Sequence, residues 1–347
     1  MKKFFTVAAS LILSAAMLTA CGSSAAPAAT TGAPETTAAA VTQAPETTEE
    51  TKSFHMAIVQ QLDHASLDEI RLAIEDELTK AAADKGFQVS YKEFNGQNDN
   101  TVLNQIGAQV VSDKYDAIIP IASLAAQCMV TAADGTNTPI IYAAVSDPAT
   151  AGLTDIPNVT GTSDALNTAF ILDMMLAAQP DVKTVGLLYS NSEANSQTPI
   201  AQAKEYLEQK GIAYIEKTGN STDEILTAAS SLVGRVEAVF TPTDNVVMAC
   251  EGAVAEILNQ AGIAHYTGAD SFVAAGAFTT SGVNYTELGT HTADMAVDIL
   301  LGGAVPEYHV MDGGIITVNT DTAGALGIDY SAFKTMANTV TEVTTVE

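Results

Sequence analysis

FHMAIVQQ (54–61), SLDEIRLAIEDELTKAAADK (66–85) and FQVSYKEF (87–94) are the three consecutive stretches that decide the architecture. The first is a short apolar run, the form taken by a buried strand. The second carries Leu67, Ile70, Ala73, Ile74 and Leu78 at a helical spacing, which gives it one apolar face. The third reads as another strand. Strand, amphipathic helix and strand together make a crossover unit, which returns the second strand parallel to the first and with a right hand.

The rhythm continues outward from there. A helix is expected over 101–111, a strand over 117–122, a helix over 123–133 and a strand over 139–146. After a loop and a short extended piece at 158–162 it restarts, with helices at 165–178, 198–210, 223–233 and 246–261. These alternate with strands at 184–189, 213–217, 238–241 and 265–268. Two runs of similar length and order predict an α/β chain of two doubly wound parallel-sheet lobes. Such sheets bind ligands beyond the carboxyl ends of their strands. Those ends are polar or small here: 60–64 (QQLDH), 122–123 (AS), 145–148 (VSDP), 189–195 (YSNSEAN), 242–245 (PTDN) and 269–271 (ADS).

The N-terminal end reads as an export signal. Lys2 and Lys3 precede an apolar run over 4–18, too short for a membrane span. It ends at Leu18-Thr19-Ala20-Cys21, which resembles the lipobox of bacterial lipoproteins. Residues 1–20 are therefore expected to be a signal peptide and Cys21 a lipidated membrane anchor, since two acyl chains suffice for stable attachment. Residues 22–53 are rich in Ala, Thr, Pro and Glu and almost devoid of large apolar side chains, so they cannot build a core. As a flexible tether this stretch would reach about 30 Å.

The formal charge of −27 makes nucleic acid and anionic membrane surfaces poor partners. Cys128 and Cys250 fall in apolar helical stretches of different lobes, where a disulfide would lock the lobes together; two buried free thiols are expected instead. The five histidines show no metal-ligand spacing, and there is no P-loop, no G-x-S-x-G elbow and no G-x-G-x-x-G after a strand. No metal, no cofactor and no catalysis are expected.

Seven stretches at or near these strand ends carry a resemblance. QQLDHASLD (60–68), IASLAAQ (121–127), VSDPATAGL (145–153), NVTGTSD (158–164), VGLLYSNSEANS (185–196), TPTDN (241–245) and SGVNYTELG (281–289) occur in this order. With them the chain, from about 54 to 328, resembles the tryptophan/tyrosine ABC transporter substrate-binding lipoprotein family, a branch of the type I periplasmic-binding-protein fold. The resemblance implies one lobe from 54–160 plus 286–312 and another from 161–285 plus 313–347. A three-strand hinge would cross near 160–162, 281–285 and Asp312, where Gly161, Gly282, Gly313 and Gly314 supply flexible backbone. It also implies an extracytoplasmic, lipid-anchored, monomeric receptor that hands an aromatic amino acid to an ABC permease and ATPase. The chain departs from the family at Ala65, where a proline is usual, and at Ser123-Leu124 in place of Thr-Pro. The same fold binding a branched amino acid, nucleoside or sugar, or serving as a sensory receptor, stays open.

An amino acid needs an anion site and a cation site. The chain has only Arg71, on a helix, and Arg235, in a loop, and neither lies at a strand end. The remaining device for a carboxylate is a helix N-terminus. Ser123 as N-cap, with the amides of Leu124 and Ala125, is the candidate. For the ammonium the candidates are Asp244 or Asp270, with Asp147 beside Ser146 on the other lobe; Asp244 could instead cap the next helix. Asn191, Glu193, Asn195, Thr243 and Asn245 are candidate polar wall, and Gln61 and His64 candidate floor. Tyr285, then Tyr189 and Tyr142, are candidate stacking surfaces for an aromatic side chain.

Overall fold

The computed structural model describes residues 51–346. The signal peptide, Cys21 and nearly all of the tether lie outside the described residues. From Ser53 the chain forms β1 (Ser53–Gln60), α1 (Ala65–Lys85), β2 (Gln88–Asn95), α2 (Asn100–Asp113), β3 (Ala117–Ile121), α3 (Ser123–Ala132), β4 (Ile140–Tyr142) and β5 (Val159–Ser163). It then crosses to a second sheet through α4 (Thr168–Ala178), β6 (Thr184–Tyr189), α5 (Ala194–Lys210), β7 (Ala213–Thr218), α6 (Thr222–Leu232) and β8 (Ala238–Thr241). There follow α7 (Asn245–Met248), α8 (Glu251–Gln260), β9 (Ala264–Thr267), α9 (Asp270–Ala274) and β10 (Thr279–Gly282). The chain returns to the first sheet with α10 (Tyr285–Leu300) and β11 (His309–Val310). It ends in the second with β12 (Ile315–Asn319), α11 (Thr320–Leu326), α12 (Phe333–Met336) and β13 (Thr339–Val343).

The sheet orders are β11-β5-β4-β3-β1-β2 and β13-β12-β10-β9-β8-β6-β7. All neighbours are parallel except β10 and β12, where Gly282 stands opposite Ile315. That exception follows from the path: the chain re-enters the second lobe at the end where β10 left it, so β12 must run the other way.

Alternation along each strand divides the core between two faces. In β1, Met56 and Ile58 pack with Ile70, Ile74 and Leu288, whereas Ala57 and Val59 face Leu103 and Met129. In β8, Val239 faces Ile225 and Leu232, whereas Ala238 and Phe240 face Ile171 and Leu207. The helix α10 lies so close to α1 that a Cβ at Gly289 would come 2.6 Å from the Ile70 carbonyl oxygen. Cys128 and Cys250 are free and buried. Inside the second lobe, fully buried His265 joins Glu251 Oε1 at 2.9 Å and Thr241 Oγ1 at 2.7 Å.

Several boundaries differ from expectation for physical reasons. The strand expected over 139–146 shrinks to three residues because Ala144 takes φ +53 and turns the backbone out of the ladder. The helix expected over 246–261 breaks at Cys250, and α5 starts at Ala194, running through Pro199 instead of opening beside it. The first crossing falls later than 160–162, since β5 pairs with β4 and β11 as far as Ser163. Gly161 thus sits within a strand. A Cβ there would lie 2.0 Å from the Tyr142 carbonyl oxygen, so close approach, and not hinge flexibility, demands the glycine. The crossings are residues 164–167, 283–284 and 311–314.

Candidate functional site: the cleft between the lobes

In each sheet one strand, β1 or β6, has its neighbours on either side reached by opposite turns of the chain, which opens a crevice at its carboxyl end. The two crevices face each other. What lies between them is a cavity of about 30 Å³, lined by His64, Ser66, Ser123, Ser146, Asn195, Thr243, Asn245 and Tyr285 among others. That is about the share of one water in the liquid. The lobes are closed on one another.

On the first lobe, Gln61 is fully buried and occupied on every side. Its Oε1 accepts from the Leu124 amide at 3.1 Å, and its Nε2 donates to Asn98 Oδ1 at 2.8 Å and, across the cleft, to Glu193 Oε1 at 3.0 Å. Ser123 is the first helical residue and not the N-cap. Ala122 holds that position at φ 75, ψ 162, and no side chain caps α3. This backbone region is nearly exclusive to glycine and costs an alanine about 1–3 kcal/mol. Ala122 and the positive-φ Ala144 both line the cavity. His64 Nε2 meets Asn245 Oδ1 at 3.3 Å, while its Nδ1 is buried without a partner; burial lowers its pKa.

On the second lobe, Asp244 does not face the cavity as a free carboxylate. Its Oδ1 accepts from the amides of Val246 and Val247 at 3.1 and 3.0 Å. Its Oδ2 accepts from the Ser190 amide at 2.7 Å and Ser196 Oγ at 2.6 Å. Both oxygens are filled, and the residue is a cap for α7. Glu193 is also buried, bonded to Gln61 and to Asn245 Nδ2 at 2.8 Å; burial and the neighbouring Asp244 push its carboxyl up. Asn195 Oδ1 lines the cavity region buried and unpartnered.

The hinge side holds a residue that the sequence reading passed over. Asp164 lies one position beyond β5, buried, and its carboxylate accepts from two side chains, Ser146 Oγ at 2.8 Å and Tyr285 OH at 3.3 Å. Among the described residues no cation stands against it, and burial raises its pKa. Its signal was its place at a strand end, inside the 158–164 stretch. Leu67, Met248 and Phe272 supply apolar wall that was likewise unforeseen, Phe272 because α9 was not expected.

Other candidates fall elsewhere. Tyr189 bonds Glu216 at 2.8 Å and Asn191 bonds Thr218 at 3.1 Å, both on the β7 side of the second sheet and away from the cavity. Tyr142 is core in the first lobe. Asp147 accepts from Thr150 and, across the lobes, from Thr198 at the cleft's outer edge. Asp270 accepts from Ser66 Oγ at 3.1 Å. Ala125 is buried in α3, and the Leu124 amide is taken by Gln61. Arg71 pairs with Glu75 and Glu93 on the surface of the first lobe. Among the described residues every ion pair stays within one lobe. The named contacts across the cleft are therefore hydrogen bonds, each worth about 1 kcal/mol net, which suits a reversible closure. No group of three or more metal-ligating side chains occurs among the described residues, and none of their helices is long and apolar enough to cross a membrane.

Comparison with known proteins places this geometry. The family model described as ABC transporter substrate binding protein matches residues 55–339. A tyrosine-binding protein of Clostridioides difficile (strain R20291) is 31% identical over 290 residues, covering 80% of this chain and 82% of that one. The solved ABC domain in complex with L-Trp from Streptococcus pneumoniae superposes with a TM-score of 0.77 at 29% identity, over 83% of this chain and 100% of that one. A ligand-free, open substrate binding protein with adhesive properties from Clostridium difficile reaches 0.64 at 32% identity, over 84% and 100%. The more identical chain superposes less well, as expected when its lobes are apart and these are together. Over most of its length, in sequence and in fold alike, the chain belongs to the ABC transporter substrate binding protein family.

Proposed function

We propose that the chain captures an aromatic amino acid outside the cell, between its two lobes, and delivers it to the permease and ATPase of an ABC importer. A diacylated Cys21 would hold it at the membrane. The observation that carries the ligand assignment is the pairing, on one cavity, of a buried carboxylate lacking a cation, Asp164, with an uncapped helix N-terminus at α3. A zwitterion supplies what each lacks. The ammonium goes to Asp164, beside Ser146 and Tyr285, and the carboxylate to Ser123 and the amides of α3 once Gln61 swings off Leu124. Phe272, Met248, Leu67 and Tyr285 offer apolar surface to a ring, and His64 Nδ1 and Asn195 Oδ1 remain to bond polar groups of the solute.

The tyrosine-binding relative and the L-Trp complex support the aromatic class. A cavity of about 30 Å³ admits no amino acid, so the lobes must part about residues 164–167, 283–284 and 311–314. The solute then takes over the cross-lobe bonds of Gln61, His64 and Ser146 and shifts the equilibrium back to the closed form. Calorimetric titration of the full chain with the twenty amino acids, nucleosides and sugars tests this. Tyrosine, tryptophan or phenylalanine should bind one to one. A response confined to another solute would keep the receptor and discard the zwitterion site.

A further inference from the structure

A cavity much larger than the one in the cleft lies outside it. Behind the hinge lies a groove of about 660 Å³, bounded by parts of all three crossings, by the start of α4 and by α12. Its size falls within the range of about 300–1,000 Å³ typical of small-molecule sites. The floor is backbone. A Cβ added at Gly282 or Gly313 would meet nothing nearer than a carbonyl oxygen at 3.8 Å, and one at Gly314 would meet nothing within 4 Å. Phe170, Val283, Ile315 and Met336 form an apolar part of a wall that is otherwise largely polar, and among the described residues Lys334 is the one cationic side chain on the rim.

We propose that this hinge groove is a second small-molecule site, built for a small organic monocarboxylate, whose occupancy changes the balance between open and closed lobes. The charge pattern selects the class. Lys334 favours an anionic head, and the apolar patch of Phe170, Val283, Ile315 and Met336 favours a short hydrocarbon or aromatic body, with polar wall around it. The one carboxylate on the lining, Asp164, is the group proposed above to take the cleft solute's ammonium, so in the filled receptor it is not open to a second cation from this side.

Coupling to the cleft follows from a shared wall. Asp164 and Tyr285 line both cavities, and their hydrogen bond joins the first crossing to the start of α10, directly after the second. A ligand touching all three crossings changes its contacts when the lobes rotate, so its affinity differs between the two states. By linkage it alters the affinity of the cleft solute by the same factor. That coupling, though not the groove site itself, rests on the proposed capture in the cleft.

The test is titration of the full chain with phenylacetate and hexanoate in the absence of any amino acid, followed by repetition at saturating phenylacetate with tyrosine as titrant. Saturable binding of the acids is expected, with phenethylamine inert. The substitutions Lys334→Glu and Gly313→Leu should each weaken it about ten-fold, one by charge and one by filling the floor. Phenylacetate should change tyrosine affinity about five-fold or more, and not in Lys334→Glu. No saturable binding of either acid, or binding untouched by both substitutions, overturns the site. Strict competition, with tyrosine displacing phenylacetate without limit, puts the acid in the cleft and overturns it equally. Binding in the groove with tyrosine affinity unchanged overturns the coupling alone. If tyrosine itself fails to bind, the first titration still decides the groove.

Discussion

The helices α3 and α7 start at equivalent places, each after the strand next to the first strand of its sheet, and they are sealed in opposite ways. At α7, Asp244 caps the helix and gathers two further buried donors. At α3 no side chain caps the helix, Ala122 is held in a glycine-like conformation, and the only group on the Leu124 amide is Gln61 reaching in from β1's end. The difference separates a sealed terminus from the one proposed above to receive the solute. A carboxylate that is fully bonded stabilises its own lobe, whereas strain and open amides at a cleft mark a place for something else.

The comparison can be broken most forcefully at Asp244. Replacing it by alanine removes the acceptor for four buried donors and should cost about 3 kcal/mol in urea unfolding; a loss below about 1 kcal/mol would mean that α7 is not sealed this way. Next comes Asp164→Asn, which keeps the shape and deletes the charge. Tyrosine affinity should fall about 30-fold, near 2 kcal/mol for a charged hydrogen bond, with stability unchanged or improved. Equal affinity would move the ammonium elsewhere.

Acidification should separate the two roles of the carboxylates. Burial raises the pKa of Asp164 in the folded chain above that of an ordinary aspartate. The folded state therefore holds the proton more tightly than the unfolded one. This contribution to stability is fully present below about 4 and lost as pH rises through the raised value. Binding runs the opposite way, because the ammonium needs the ionised form. Between the two values, unliganded stability should rise and tyrosine affinity fall as pH is lowered, by at most about ten-fold per unit for one proton. Parallel trends would rule out Asp164 as the partner.

Smaller effects sharpen the picture. Ala122→Gly should raise stability by about 1 kcal/mol by relieving its backbone, and no gain would mean that the loop tolerates alanine without strain. Asn191→Ala should alter tyrosine affinity less than about two-fold, since Asn191 bonds Thr218 away from the cavity.

Much of this was legible in residue order. The alternation from Phe54 to Gly268 encodes two doubly wound lobes, because helical and strand periodicities are local properties of the chain. Strand ends rich in Ser, Asn, Asp and Gln mark the cleft for the same reason. His64, Ser123, Ser146, Asn195, Thr243, Asn245 and Tyr285 line it, and Gln61 reaches across it to Glu193. The short segments after Ala269 were less readable: α9, β10 and β11 span five, four and two residues, too few for a period to register.

What sequence alone determined is therefore the set of segments and the polar ends that each presents, since both depend on neighbours a few positions apart. Only the tertiary structure decided which carboxylate is filled by four donors and which is left with two hydroxyls. Asp244 and Asp164 look alike in one dimension, each a polar residue at a strand end. One meets four donors contributed by its own loop and by residues about 50 positions away. The other meets two hydroxyls and no cation, with one hydroxyl brought 121 positions along the chain. Long-range packing sets the burial and the partners, and burial and partners set the charge a site is ready to receive.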